Sequence, residues 1–371
     1  MTLSRRKMLA LVGGGVVLAA GSAGGLFAAT RTPHRALAPW FSAGGHSDPR
    51  LDALSHALLA PNPHNLQPWQ AELVGTDRVR IWRDKDRDLP MTDPFARQLT
   101  IGMGCFLELM VMAAGETGHS VDMTLFPEGE GGPVAEARFI AGAGEGARDP
   151  LFAHIFDRRS CKEPFANRPV PTADAAALAP YAEIITDAEQ VATLRTLTYQ
   201  AHQIEVTTPR TNRESVDLIR MGRREIETNP DGIDLGGPLM ESLMLAGLMT
   251  REGLLDQGSS AFRQGLEIYA RTHAATPAFA VIVTETNDRA AQIGAGRDWL
   301  RLNLATTGRG LALHPVSQAL QEYPEMDDAY ARAHNLLAPG GGTVQMLGRL
   351  GYGPAVPPSP RWPLEAKLRD V

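Results

Sequence analysis

Ala60-Pro61-Asn62-Pro63-His64-Asn65-Leu66-Gln67-Pro68-Trp69 is the stretch around which the rest of the chain can be arranged. Proline removes a backbone donor and clashes with the preceding helical turn, so Pro61, Pro63 and Pro68 exclude a helix interior. They exclude a central strand for the same lack of donors. What remains is a fixed, amide-rich turn feeding a strand, a loop able to offer hydrogen bonds to a flat polar ligand.

Working outward, Leu51, Leu54, Leu58 and Leu59 recur at helical spacing behind Asp48-Pro49, which predicts a helix delivering the chain into the loop. Downstream, Gln70–Val74 and Arg78–Trp82 read as a hairpin around Gly75-Thr76-Asp77. A helix beginning near Thr92-Asp93-Pro94 carries Leu99, Met103, Phe106 and Met110 on one face. Gly102 and Gly104 within it cost about 1 kcal/mol each in propensity, so something is expected to pack closely there. Strands near Ser120–Leu125 and Ala135–Ile140 complete a first unit, and residues 142–146 read as a linker.

The second unit starts at Asp149-Pro150 and runs into Asp157-Arg158-Arg159-Ser160-Cys161-Lys162. It continues with a helix after Thr172 and a long helical region from about Ala188 past Arg224. Asn229–Leu235 breaks that region, and Pro238–Met249 is a helix rich in leucine and methionine. Thr276–Glu285 is the clearest strand, Ala291–Thr307 is amphipathic, and Leu311–Ser317 is a buried segment. A final strand covers Thr343–Leu350. Prolines make Gly353–Arg361 an extended tail that leaves the body of its own unit.

The 371 residues are 43% hydrophobic, enough for one large core or two related ones. Lys plus Arg is 36 against 42 for Asp plus Glu, a net charge of −6 that argues against nucleic acid or an anionic membrane face as partner. Cys105 and Cys161 cannot build a disulfide framework or a thiolate zinc site. One bond between them in an oxidising compartment stays open. Ser4-Arg5-Arg6-Lys7-Met8 ahead of the apolar, glycine-rich run Leu9–Ala29 reads as an export signal of twin-arginine type. The expected partner is the twin-arginine machinery and the expected location periplasmic, with an uncleaved membrane anchor as the alternative. Ala23, Ala28 and Ala29 are the candidate cleavage points. The expected division is therefore signal and linker over 1–45, a first half over 46–145, and a second half with its tail over 146–371.

Arg158, Arg159, Ser160 and Lys162 place three cations and a hydroxyl within five residues. Such a run is either a solvated basic patch or a phosphate clamp, since arginine forks match phosphate oxygens. Arg361, held between Pro360 and Trp362, is a similar case. No metal-binding spacing, Gly-x-Ser-x-Gly elbow or Gly-x-Gly-x-x-Gly turn is present. His64 is either a proton donor or a hydrogen-bonded loop residue.

Arg158-Arg159-Ser160-Cys161-Lys162 resembles the Arg-x-Ser-x-Lys/Arg segment of the flavin-dependent nitroreductases. Residues 60–69 resemble their Ala-Pro-Ser-x-x-Asn-x-Gln-Pro-Trp loop, with Asn62 in place of the serine. Ser359-Pro360-Arg361-Trp362 resembles their basic C-terminal tail. The resemblance implies an α+β, nitroreductase-like three-layer fold and FMN as cofactor. It places Arg158, Arg159, Ser160, Lys162 and Arg361 at the phosphate, and Pro61, Asn62, Asn65 and Gln67 toward the ring. It implies no catalytic side chain and no metal.

In that family the arginine segment precedes the loop and two subunits interlock. Here the order is reversed, and Ile184-Ile185-Thr186-Asp187-Ala188 stands where a second loop would fall. This resembles the Acg-like branch: two fused halves in one chain, an intrachain pseudo-dimer acting as a monomer with a single FMN. The implied activity is an oxidoreductase passing hydride through flavin N5 between a small-molecule electron donor and acceptor. Outside the cytoplasm NAD(P)H is scarce, so a flavin-binding or flavin-sequestering protein without turnover is the alternative, with Asn229–Met249 as its lid.

Overall fold

In the computed structural model, residues 30–142, 144 and 148–369 are described. The expected signal run Leu9–Ala29 and part of the expected linker lie outside the described residues. The first half comprises the short helices α1 (His34–Leu37) and α2 (Pro39–Ser42), then α3 (Pro49–Ala57), whose first turn is capped by Asp48 accepting from Arg50 N. Strands β1 (Trp69–Val74) and β2 (Arg78–Arg83), helix α4 (Arg97–Glu116), and strands β3 (His119–Leu125) and β4 (Ala135–Ala141) follow. The second half opens with α5 (Thr172–Leu178), β5 (Glu183–Ile185), α6 (Ala188–Thr207) and α7 (Pro209–Asp217). It continues with β6 (Ile219–Met221), α8 (Gly222–Thr228), β7 (Ile233–Leu235), α9 (Pro238–Leu245), α10 (Arg251–Leu255) and α11 (Ser260–Ala274). β8 (Ala278–Thr284), α12 (Arg289–Gly308), β9 (Ala312–Pro315), α13 (Asp327–Leu337) and β10 (Thr343–Gly351) complete it.

Two four-stranded antiparallel sheets result, ordered β1-β2-β4-β3 and β5-β8-β10-β9. The orders correspond strand for strand, with α4 and α12 at the same place in each. Both helices are 20 residues long and cross at glycines. A Cβ on Gly104 would fall 2.2 Å from the Ile293 carbonyl oxygen, and one on Gly296 would fall 2.0 Å from that of Ile101. Gly104 and Gly296 hold the same position counted from Arg97 and Arg289, so the contact is reciprocal. The close approach expected from the glycines of α4 is thus explained: neither backbone could come so near with a side chain between them.

α4 is long and apolar enough to cross a membrane, yet nearly all of it is buried in this core. Ala278, Ala280 and Ile282 of β8 join the core around α4 and α12, while Phe279 and Val281 face a second core with Leu194, Leu197 and Ala201 of α6. Burial on both faces is why this strand reads as continuously apolar. The first sheet buries one face; on the other, Arg78 and Arg80 pair with Glu136.

The halves differ most between their first two strands. β1 and β2 are joined by Gly75-Thr76-Asp77, whereas β5 and β8 are separated by the helices α6 to α11. The expected single helical region past Arg224 is divided at Thr208-Pro209 and again at β6, because proline cannot continue α6. Residues 30–45, set aside with the signal, instead fold onto the tail: Arg361 N donates to Ala36 O, and Trp40 is 4% exposed. Cys105 and Cys161 are both buried and unpaired.

Candidate functional site

The loop that ends α3 is strained and braced. His64, Asn65 and Gln67 have φ of 47°, 55° and 52°, left-handed values that cost a non-glycine residue roughly 1–3 kcal/mol each. Asn62 holds the turn from inside, its Oδ1 accepting from Gln67 N at 2.7 Å and its Nδ2 donating to Ala60 O at 3.2 Å. The tail of the second half holds it from outside. Asn65 Nδ2 donates to Pro360 O at 3.0 Å, Trp362 N donates to Gln67 Oε1 at 2.9 Å, and Lys367 Nζ donates to Gln67 O at 2.7 Å. Burial brings the Lys367 ammonium down to about 7. Gln67 is fully buried and its Nε2 donates to Pro230 O, so its amide shapes the loop and does not line the cavity. The amides of Asn62 and Asn65 are committed in the same way. The surface left for a ligand is the faces of Pro61 and Pro63 with the His64 ring.

Beside the loop stand the cations. Arg158 is 3% exposed and donates through Nη2 to Leu59 O at 2.9 Å. Among the described residues its other N–H groups have no hydrogen-bond partner. Arg159 leaves Nε buried without a partner while Nη1 donates to the carbonyls of Phe156 and Arg158. Arg361 differs. Its donors reach the carbonyls of Leu58, Leu59, Ala60 and Pro360 and the side-chain oxygen of Asn65. It caps the C-terminal end of α3, where a cation is favoured, and contributes positive field to the site without a spare N–H group.

All three guanidinium groups surround the Trp40 ring, at 5.9, 4.7 and 5.4 Å from its centroid for Arg158, Arg159 and Arg361. Trp40 has no signal in the loop or clamp motifs, and its place in the segment set aside as signal and linker hid it. Burial, and then mutual repulsion, pull Arg158 down to about 10 and Arg361 to about 9; burial and Lys162 pull His64 down to about 4. Four cations, Arg158, Arg159, Lys162 and Arg361, share this part of the cavity with one carboxylate, Asp234, and that excess of positive charge favours an anionic ligand.

Both groups open on one cavity of about 410 Å³, within the range of small-molecule and cofactor sites. Pro61, Asn62, His64, Asn65, Arg158, Arg159, Ser160, Lys162 and Arg361 line it, joined by Gln98, Gly102 and Cys105 of α4. A Cβ on Gly102 would meet Pro63 at 3.0 Å and Asn62 at 3.1 Å, so glycine is what lets the loop seat on α4. Burial pushes the Cys105 thiol up to about 12, which makes it inert core. The cavity continues past β9 to His202, Glu205 and Tyr269 on the helices inserted in the second half. Pro238–Leu245, the core of the expected lid, does not line it; Gly232–Asp234 and α11 do.

The matching place in the other half holds no such site. Leu178-Ala179-Pro180 repeats Leu59-Ala60-Pro61, but only Tyr181 and Ala182 separate it from β5. Gly294, the counterpart of Gly102, has nothing within 4 Å of its Cβ position. The counterpart of Cys105 is Arg297, which with Arg301 pairs to buried Glu108.

No family model matches the chain. It is 27% identical over 330 residues to a Mycobacterium tuberculosis H37Rv protein provisionally named an NAD(P)H nitroreductase, covering 83% of this chain and 87% of that one. The corresponding protein of strain CDC 1551 matches equally. These relatives support the nitroreductase family. Among solved structures, the FMN-dependent nitroreductase NfnB of Mycobacterium smegmatis, in complex with NADPH, aligns with a TM-score of 0.37 and 18% identity over 60% of this chain and 98% of that one. A nitroreductase with bound FMN from Bacteroides fragilis aligns with a TM-score of 0.32 and 13% identity, covering 56% and 89%.

Proposed function

We propose that this chain is an FMN-dependent oxidoreductase of nitroreductase type that carries one flavin, bound where the second half's arginines meet the first half's loop. The observation that supports it most is the pair of unlike surfaces on one cavity. Desolvated Arg158 has N–H groups to spare, and on the same cavity a rigid loop offers flat proline faces. That donor set fits a phosphate-bearing group with a planar ring. Arg158, Arg159, Ser160 and Lys162 would hold the phosphate, with Arg361 adding field through α3. The charge of a phosphate would return the guanidinium groups toward their ordinary range.

When bound, FMN supplies hydride transfer at N5, chemistry that requires little of protein side chains. The chain's part is to position and to admit. The tail's grip on Gln67 keeps the loop from relaxing, and Gly102 lets it lie against α4. Lys162 and Asp234 line the cavity and are both exposed, so small molecules can enter. That favours turnover over a closed flavin store.

The exported setting belongs to the proposal. It draws on Ser4-Arg5-Arg6 ahead of the apolar, glycine-rich run Leu9–Ala29. The deciding experiment is the visible absorbance of protein recovered from the periplasm, followed by anaerobic addition of NADH or NADPH. A yellow protein with one flavin per chain that bleaches is expected. Colourless protein overturns the proposal, and yellow protein that resists even dithionite reassigns it as a flavin store.

A further inference from the structure

The far end of the cavity is chemically unlike the arginine end. Glu205 on α6 is 6% exposed and accepts from Gln321 Nε2 at 2.7 Å, while it enters no ion pair among the described residues. Gln318 Oε1 and Gln321 Oε1 are buried without partners, as are both ring nitrogens of His202, itself 5% exposed. Ser215 and Gln318 approach the Glu205 carboxyl without completing bonds of full geometry. The acceptors here are a carboxyl, two amide oxygens without partners and an imidazole nitrogen, beside donors from Ser215, Gln318, Gln321, Tyr269 and Tyr323. Buried acceptors of this kind are normally satisfied. Lysine and arginine do not line this end, and its walls are Val216, Phe262 and Leu266. His202 lies over Tyr269 with ring centroids 3.9 Å apart, adding aromatic faces that attract cations.

We propose that this inner end is a binding subsite for a primary amine on a small apolar body, its ammonium held by Glu205 and the amide oxygens of Gln318 and Gln321. The subsite deepens the flavin reading by naming a class of molecule placed beside the cofactor, but binding itself does not depend on flavin. The groups facing Glu205 are His202 on its own helix, Glu214 on α7, Tyr269 on α11 and Tyr323 ahead of α13. Burial holds its carboxyl up at about 7, and Glu214, of like charge, adds to that. Arg210, near Tyr323, is committed to Glu325. An ammonium ligand prefers ionised Glu205, so its affinity rises with pH until that group is deprotonated.

The test is calorimetric titration of the purified, signal-processed protein with 2-phenylethylamine and, separately, with its neutral analogue 2-phenylethanol. The amine is expected to bind at least about tenfold more tightly than the alcohol. Its affinity is expected to climb between about pH 5 and about pH 8, around the Glu205 value. Glu205→Gln is expected to abolish that climb, and Gln318→Leu, which leaves the carboxyl in place, to weaken binding while keeping it. Equal binding of amine and alcohol overturns the subsite, as does absence of binding to folded wild-type protein, which leaves a water-lined chamber. Flavin content is read by absorbance on the same samples. Colourless protein that still binds the amine defeats the flavin reading alone, and yellow protein indifferent to the amine defeats the subsite alone.

Discussion

Gly102 and Gly294 stand at matching points of α4 and α12, yet one lies under a proline-rich loop and the other under open space. The central helices α4 and α12 and the strand orders of the two sheets are alike, so this shared framework is not what distinguishes the halves. One half has eleven residues, Leu58 to Pro68, between its helix and its first strand, and the other has four, Ala179 to Ala182. The clamp is equally one-sided: Arg158–Lys162 sits in the second half, while Arg297 and Arg301 near the empty face are spent on Glu108. Two halves of like framework can thus differ in a site through the length of one connection, because the contact that joins them is elsewhere, at Gly104 and Gly296.

The comparison breaks first at that shared contact. Gly104→Val or Gly296→Val forces a side chain into a backbone carbonyl, and neither protein is expected to accumulate in folded form. Thermal unfolding of any soluble fraction checks this, and a variant as stable as wild type would show that the helix crossing does not join the halves. Next comes the clamp. Arg158→Ala with Ser160→Ala removes two or more charge-assisted bonds and should weaken flavin binding roughly a hundredfold or more. Arg297→Ala should leave flavin content unchanged and cost only stability, read by flavin absorbance beside a melting curve. A ratio of two flavins per chain would end the idea of a single retained site.

The glycine pair gives a smaller and opposite-signed contrast. Gly294→Ala gains helix propensity in open space and should stabilise by about 1 kcal/mol. Gly102→Ala presses on Asn62 and Pro63 and should lower flavin retention without that gain. A pH-dependent effect concerns the inserted helices. Burial raises Glu205 to about 7 from 4.5, so the folded state holds its proton more tightly than the unfolded one. Its contribution to stability is present below the unfolded value and is lost as pH rises through the folded value. Glu205→Gln should therefore stabilise at pH 8 relative to pH 5, by up to about 3 kcal/mol, in denaturant melts at the two pH values.

Much of the site is legible in the chain because its chemistry is local. Three prolines in a short run fix a turn, and Arg158 to Lys162 lie within five residues of one another. The tail's extended path follows from proline's missing donors, and it does cross to the other half, where Leu368 pairs with Ala71. What escaped depends on long-range packing. Trp40 gathers three arginines from two distant segments, and nothing in its own neighbourhood announces that. Gln67 looks like a ligand residue, but the tail claims its amide. Arg361 looks like a free phosphate ligand, but the end of α3 takes its N–H groups.

From the sequence alone follow the elements whose cause is local: helices from apolar spacing, the rigid loop from its prolines, the basic cluster from its adjacency, and close packing at two glycines. Only the tertiary structure decided which partners those elements met. It placed the loop of one half under the tail of the other, gave the two sheets one strand order, and left the second loop's place vacant. It also gathered Glu205, Gln318 and Gln321 from segments more than a hundred residues apart in the chain. The physical reason is the range of the forces involved. Backbone preferences and proline sterics act over a few residues, whereas burial, desolvation of charge and hydrogen-bond satisfaction depend on which distant surfaces the fold brings together.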